Sequence, residues 1–134
     1  MTGSAPVVAL VVGAGLTWID VSVLGIFALG IVLVLLVPFT HHDVASPYRA
    51  SGPIFVRSGA RTANPAIDEV PLMFRHRLLS IRAYDAAAMM VDAEVVQGSA
   101  LEDAIRRCFA REGVSYLHIH NARPGCYNCR VVRA

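Results

Sequence analysis

Alternation of apolar and polar side chains near the end of the chain constrains the fold more strongly than any other feature. Leu117 and Ile119 alternate with His118 and His120, a period of two that is typical of a strand with one buried face. A Pro-Gly turn follows at residues 124–125, and the chain then returns as a second strand. The sequence therefore predicts a β-hairpin with both imidazoles on one face.

The same hairpin concentrates the side chains that bind metals. Cys126 and Cys129 form a C-x-x-C pair directly after the turn, on the strand that returns beside His118 and His120. A turn that aims two thiolates at one point is typical of half a tetrahedral zinc site, and two imidazoles would complete it. We therefore interpret these four residues as candidate ligands of a divalent metal, with zinc as the candidate cofactor. A reduced thiol pair without metal and an adventitious disulfide stay open as alternatives.

A thiol-dependent enzyme is the second interpretation of this hairpin. Arg123 and Arg130 lie close to Cys126 in the sequence and favour its thiolate, so Cys126 is a candidate nucleophile with His118 or His120 as its base. A thioredoxin-like reaction is not expected, because that chemistry uses a thiol at a helix N-terminus. Here the thiol pair leads into a strand.

Composition excludes some classes of protein. With 134 residues the chain has the length of one domain. Its net charge is +2 and no basic stripe with interleaved aromatic residues occurs, so no nucleic-acid partner is expected. Three cysteines leave one thiol without a disulfide partner, which favours a reducing compartment.

The N-terminal part of the chain is unusually apolar. Residues 5–38 contain a single charged side chain, that of Asp20. A helix over residues 18–39 would be about 33 Å long, enough to span the hydrocarbon core of a membrane. Because Arg49, Arg57 and Arg61 follow this segment and no arginine precedes it, the positive-inside rule predicts a cytoplasmic domain tethered to the inner membrane.

A strand is the competing interpretation for the end of the apolar segment. Residues 31–37 are rich in β-branched side chains and are bounded by Gly30 and Pro38, as a buried strand would be. We therefore divide the chain into an apolar extension over residues 1–30, with a possible membrane segment running to about residue 39, and a domain over residues 31–134. A membrane-tethered interaction domain with incidental cysteines is the third functional interpretation.

The middle of the chain predicts a loop and a second hairpin. Residues 38–52 contain punctuating proline and glycine, and this loop is expected to expose His41, His42 and Asp43 to solvent. Residues 77–84 and 89–96 predict the hairpin, whose second strand alternates apolar and acidic side chains. Its buried face is expected to carry the side chains of Met89, Val91, Ala93 and Val95. Charge pairs across these strands are the expected environment of Arg82, Tyr84, Asp85 and Asp92.

One helix is predicted between the two hairpins. Ser99 and Glu102 have the spacing of a capping box, and Gly113 is expected to end the helix. Apolar residues then follow at helical spacing and include Cys108, which is interpreted as a core side chain; they are Leu101, Ala104, Ile105, Cys108 and Phe109. These elements together predict an α+β fold, mainly an antiparallel sheet with one well-formed helix.

Ordered motifs occur along the chain at residues 46–57 (SPYRASGPIFVR), 79–85 (LSIRAYD), 89–92 (MMVD), 118–121 (HIHN) and 125–130 (GCYNCR). Together they resemble a bacterial family catalogued as domain of unknown function 1203. The resemblance covers about residues 32–134 and implies a short apolar strand over residues 32–37. It brings no activity, substrate or cofactor. It also implies a polar N-terminal stretch with an additional cysteine, so a truncated, rearranged or misread start is one explanation of the apolar extension.

The function that the sequence favours is that of a small bacterial binding domain whose site is the final hairpin.

Overall fold

The computed structural model describes residues 9–11, 34–57 and 61–134, which form seven strands and one α-helix. The helix, α1 (Leu101–Ala110), follows the fifth strand, and short 3-10 turns occupy Leu72–Phe74 and Gly98–Ala100. The α+β fold with mainly antiparallel strands is therefore confirmed. The strands are β1 (Ala9–Val11), β2 (Val34–His42), β3 (Ala50–Arg57), β4 (Leu78–Tyr84), β5 (Met90–Gln97), β6 (Tyr116–Asn121) and β7 (Tyr127–Val132).

The described strands form two antiparallel sheets. The larger sheet has the order β1-β7-β6-β4-β5, and β2 and β3 form a separate two-stranded sheet. Helix α1 packs on one face of the larger sheet, where alternate side chains of β4 and β6 point inward. The resulting core contains Leu79, Ile81, Leu117, Ile119, Leu101, Ile105 and Phe109. The opposite face of the same sheet is therefore available for other contacts.

Helix α1 buries the predicted apolar stripe but begins differently from the prediction. Its first residue is Leu101, and Ala100 occupies the N-cap position with no side-chain cap hydrogen bond. The capping-box prediction is therefore wrong: Ser99 lies in the preceding 3-10 turn, and Glu102 instead accepts a hydrogen bond from Arg75 at 2.7 Å. The helix ends at Ala110, and Gly113 supplies a positive φ of 84° in the turn that follows.

The hairpin of β4 and β5 is confirmed, but the face assigned to β5 is wrong. Val91 and Val95 are 49% and 60% exposed, whereas the acidic residues between them are half-buried. The reason lies at the C-terminal end of α1, because Glu94 pairs with Arg107 in the last turn of the helix at 3.4 Å, and Asp92 pairs with Arg111, the residue after the helix, at 2.8 Å. As the edge strand of the sheet, β5 thus turns its charges toward α1 and its valines outward.

The strand interpretation of the apolar segment is confirmed from Val34 onward. Strand β2 begins there and runs through Pro38 to His42, so the polar loop predicted over residues 38–52 is in fact two strands joined by residues 43–49. Residues 1–8 and 12–33, which carry the rest of the possible membrane segment, lie outside the described residues. Within the described ranges no helix is both long and apolar enough to cross a membrane.

Candidate functional site

The face of the large sheet opposite α1 carries a cluster of imidazole and phenol rings. His118 on β6 lies opposite Arg82 on β4 and Arg130 on β7, and His120 lies opposite Tyr127. Directly opposite residues of antiparallel strands project to the same side of a sheet. These side chains therefore share one face, as the sequence predicted for His118 and His120.

The end of β2 covers this face and adds two further imidazoles. The ring of His41 lies 5.2 Å from that of His120 and 6.2 Å from that of His118, and the ring of His42 lies 4.7 Å from that of His118. Adjacent residues of a regular strand point to opposite sides. Here the register shifts between Thr40 and His42, so this bulge lets both neighbouring imidazoles approach His118.

The expectation that His41 and His42 belong to a solvated loop is therefore wrong. His42 is 4% exposed, and the ring of His41 stacks on that of Tyr127 with centroids 4.9 Å apart. The sequence carried a weak signal for this placement, since two adjacent histidines preceded by an apolar run fit the end of a buried strand. The polar residues that follow His42 nevertheless favour a loop.

Burial keeps the central imidazoles uncharged. His118 is 1% exposed, and burial, followed by the charges of His42 and His120, lowers its pKa from 6.5 to about 3. Burial also lowers the pKa of His120 to about 4, against the opposing effect of its hydrogen bond to the Gly125 carbonyl. The pKa of His41 is lowered by burial and then by the charge of His42. At neutral pH the two central rings are therefore neutral, and each has one nitrogen with a free lone pair.

Three ring nitrogens in the cluster are buried without a hydrogen-bond partner among the described residues; they are His41 Nδ1, His118 Nδ1 and His120 Nε2. For His120 the tautomer follows from geometry, because its Nδ1 lies 2.9 Å from the carbonyl oxygen of Gly125, which only accepts. The proton is therefore on Nδ1, and Nε2 presents a lone pair. An unsatisfied buried polar atom typically costs about 1–3 kcal/mol.

His42 differs from the other three imidazoles because both of its nitrogens are satisfied. Its Nδ1 donates to the carbonyl oxygen of Tyr48 at 2.7 Å, and its Nε2 accepts from the hydroxyl of Tyr116 at 2.7 Å. Burial raises the pKa of Tyr116, so the hydroxyl keeps the proton that this bond requires. His42 therefore offers no free lone pair and acts as a fixed neighbour of His118.

The structure does not gather the four residues predicted as metal ligands around one point. His118 and His120 share a face with ring centroids 6.1 Å apart. Cys129, however, is 0% exposed, pairs with Ile119 and belongs to the core on the α1 side of the sheet. Cys126 is half-buried at the end of the turn, where its carbonyl accepts a hydrogen bond from the Asn121 amide at 2.9 Å.

The three cysteines are free thiols, so no disulfide joins Cys126 to Cys129. Burial raises the pKa of the Cys129 thiol to about 12 and that of Cys108 to about 11, with Glu94 and Asp92 adding to the effect on Cys108. Cys108 is 2% exposed, which agrees with its interpretation as a core side chain. The nucleophile hypothesis for Cys126 stays a prediction.

In the part of the chain that the structure describes, no three His, Cys, Asp or Glu side chains form a group that could hold a metal ion. The imidazoles of His41, His118 and His120 are neighbours with unsatisfied nitrogens, but those nitrogens do not converge on one point in these side-chain conformations. Chemically, the lone pairs of the neutral imidazoles can bind a metal ion or accept a hydrogen bond from a ligand.

Comparison with known proteins identifies a family for most of the chain. A family described as "Protein of unknown function (DUF1203)" matches residues 31–133, which confirms the resemblance indicated by the motifs. No curated protein and no solved structure matches the chain. The matched range includes every residue of the imidazole cluster.

Proposed function

We propose that this chain, which belongs to the family described as "Protein of unknown function (DUF1203)", binds a divalent transition-metal ion through His41, His118 and His120. One observation carries the proposal: three neighbouring imidazoles have buried ring nitrogens with no partner among the described residues. A metal ion would satisfy all three at once. In this ligand set His41, instead of Cys126 and Cys129, completes the pair of hairpin histidines.

The protonation state of the cluster supports a metal rather than a proton as its occupant. Imidazole binds a metal only in its neutral form, and metal and proton compete for the same lone pair. The lowered pKa values of His118 and His120 therefore favour a metal at neutral pH. Neutral imidazoles suit zinc, copper, nickel and iron. Three protein ligands would leave a further coordination position open, as in catalytic sites.

The ring spacing is close to that of a metal site but slightly too wide. With a metal–nitrogen bond of about 2.1 Å and a tetrahedral angle, two ligating imidazoles have centroids about 5 Å apart. The His41–His120 distance of 5.2 Å fits, whereas His118 lies 6.2 Å from His41 and 6.1 Å from His120. Imidazole rings rotate readily about the Cβ–Cγ bond, where torsional preferences are broad. A rotation with an approach of about 1 Å would thus bring the three nitrogens together.

A hydrogen bond outside the proposed ligands supports the same assignment. The Gly125 carbonyl, 2.9 Å from His120 Nδ1, fixes the tautomer in which Nε2 is the ligand. Histidines that bind metals usually donate their other ring proton to such an acceptor.

Metal content of the full-length protein tests the proposal. Protein purified from cells supplied with zinc is expected to hold close to one equivalent, measured by elemental analysis. His41→Ala and His120→Ala should each lower the metal content several-fold. His76→Ala is the matched control, because His76 is exposed and lies outside the cluster. Cooperative urea unfolding of each variant would show that it still folds.

Cysteine variants separate this ligand set from the one predicted from the sequence. If the imidazoles hold the metal, Cys126→Ser and Cys129→Ser should keep it. Loss of metal from both cysteine variants, with retention in His41→Ala, would favour the hairpin set. Less than about a tenth of an equivalent in the unmodified protein would contradict both.

A further inference from the structure

Strand β5 ends the large sheet and presents an open edge. One edge of β5 pairs with β4, and among the described strands none pairs with the other. In an antiparallel ladder, residues whose backbone groups bond one neighbouring strand alternate with residues whose groups point the other way. The Gly98 amide donates to the carbonyl of Arg77, just before β4, at 2.8 Å. The same alternation directs the backbone N–H and C=O groups of Ala93, Val95 and Gln97 outward.

This edge lacks the features that usually keep exposed strands from pairing with other chains. Such edges are commonly protected by proline, by lysine, by a bulge or by charged side chains. Residues 92–97 contain neither proline nor lysine, and the register shift of the β4–β5 pair lies before Asp92. The two acidic side chains of this stretch are held on the α1 side by Arg107 and Arg111. On the other side Val95 is 60% exposed, so the edge can accept a further strand.

We infer that a second copy of this chain occupies this edge, with the two β5 strands antiparallel about a two-fold axis at Val95. In this register the two copies of Val95 lie opposite each other, and Ala93 lies opposite Gln97 of the second copy. All the outward backbone groups of residues 93, 95 and 97 are then paired. Glu94 lies opposite Val96 of the second copy, so no acidic side chain directly faces another. The inference does not depend on the proposed metal site.

The charges of α1 favour this arrangement. The helix runs antiparallel to β5, because its first residue follows β5 after a short turn and Arg107 in its last turn pairs with Glu94. The axis at Val95 therefore sets the two helices antiparallel on one side of the joined sheet. The first turn of α1 carries Glu102 and Asp103, and Arg107 is 58% exposed. The basic end of each helix thus lies alongside the acidic beginning of the other, an arrangement with complementary charge.

Sedimentation velocity of the full-length protein between about 1 and 100 μM tests the inference, because a short edge ladder gives a small interface and a concentration-dependent dimer. We expect the dimer fraction to rise across this range. Val95→Pro removes an outward amide and no bond to β4, so this variant should stay monomeric and still unfold cooperatively in urea. Val95→Thr keeps the amide and the branched side chain, and as the matched control it should dimerise.

Disulfide trapping tests the register, and it decides the question even if Val95→Pro fails to fold. Opposite residues of a hydrogen-bonded antiparallel pair have Cα atoms about 5.5 Å apart, within the range of a disulfide. Val95→Cys should therefore cross-link two copies under mild oxidation, with the bond located by mass spectrometry. Ala93→Cys is the exposed control, because two copies of position 93 would lie about 14 Å apart, beyond the reach of a disulfide.

Three outcomes would overturn the inference. The first is a protein that stays monomeric at about 100 μM, and slow alkylation of Val95→Cys in that monomer would assign the edge to residues of this chain outside the described ranges. The second is a dimer that persists in folded Val95→Pro. The third is cross-linking of Ala93→Cys as readily as of Val95→Cys.

Discussion

Nε2 of His42 lies 2.7 Å from the hydroxyl oxygen of Tyr116, and this hydrogen bond joins β2 to β6 across 74 positions of the chain. The phenol ring of Tyr116 also stacks on that of Tyr84, with centroids 5.2 Å apart. His42 in turn contacts the ring of His118. The bond therefore holds the two-stranded sheet against the large sheet at the place where the imidazoles meet.

Tyr116→Phe removes the only donor to His42 Nε2 within the described residues while keeping the stacked ring. A buried nitrogen left without its partner should lower the free energy of unfolding by about 1–3 kcal/mol, measured by urea denaturation. Tyr48→Phe is the matched control, since Tyr48 bonds His42 through its backbone carbonyl. A Tyr48→Phe protein as unstable as Tyr116→Phe would contradict this account.

Gly98→Ala should be strongly destabilising. A Cβ at this position would lie 1.6 Å from the carbonyl oxygen of Phe74, and the Gly98 amide donates to the Arg77 carbonyl at 2.8 Å, so neither segment can move away freely. We expect a loss of about 3 kcal/mol in the free energy of unfolding. At Gly52 an added Cβ meets nothing within 4 Å, and Gly52→Ala should change stability by less than about 1 kcal/mol. Similar effects at the two glycines would refute the steric explanation.

Thiol alkylation at pH 8 should separate the cysteines. The pKa of Cys108 is raised to about 11 by burial and by Glu94, so its thiol is protonated as well as inaccessible in the native state. Cys126 is half-buried and should react first, as mass spectrometry of partly labelled protein would show. Cys108→Ala should cost about 1 kcal/mol and leave the labelling of Cys126 unchanged. Rapid native labelling of Cys108 would contradict its core position.

The metal-free protein should lose stability as the pH falls below about 6.5. In the unfolded chain His118 and His120 take up protons near pH 6.5, whereas in the folded state their pKa values are lowered to about 3 and about 4. Between these limits the unfolded state binds more protons, so stability is greatest above pH 6.5 and decreases toward pH 4. Urea denaturation at several pH values measures this slope.

Histidine variants isolate this effect from that of carboxylates titrating in the same range. His118→Asn should flatten the slope relative to the unmodified protein, whereas His76→Asn should not, because His76 is exposed. Identical slopes in the two variants would mean that the buried imidazoles do not cause the pH dependence.

The sequence was sufficient to predict the final hairpin and the helix face, because both depend on local periodicity. It was not sufficient to predict on which face of the sheet Cys129 lies, because that depends on the register of β7 against β6. Cys129 pairs with Ile119 and so enters the core. A shift of one residue in the register would have placed it on the face of the histidines. The approach of His41 to His118 joins strands far apart in the chain, and no local pattern encodes it. The local pattern of β5 does not predict its outward valines, because Arg107 of α1 and Arg111 just after the helix pair with the intervening acidic side chains and turn them toward the helix.

The bulge in β2 makes the site depend on strand length as well as on side-chain identity. Thr40 pairs with Ser51 and His42 pairs with Ala50, so His41 is an extra residue with no counterpart on β3. Inserting one residue between Ala50 and Ser51 would give His41 a counterpart and restore regular alternation. The two adjacent imidazoles would then point to opposite sides of the small sheet, and the site would be dismantled although every side chain that forms it is still present.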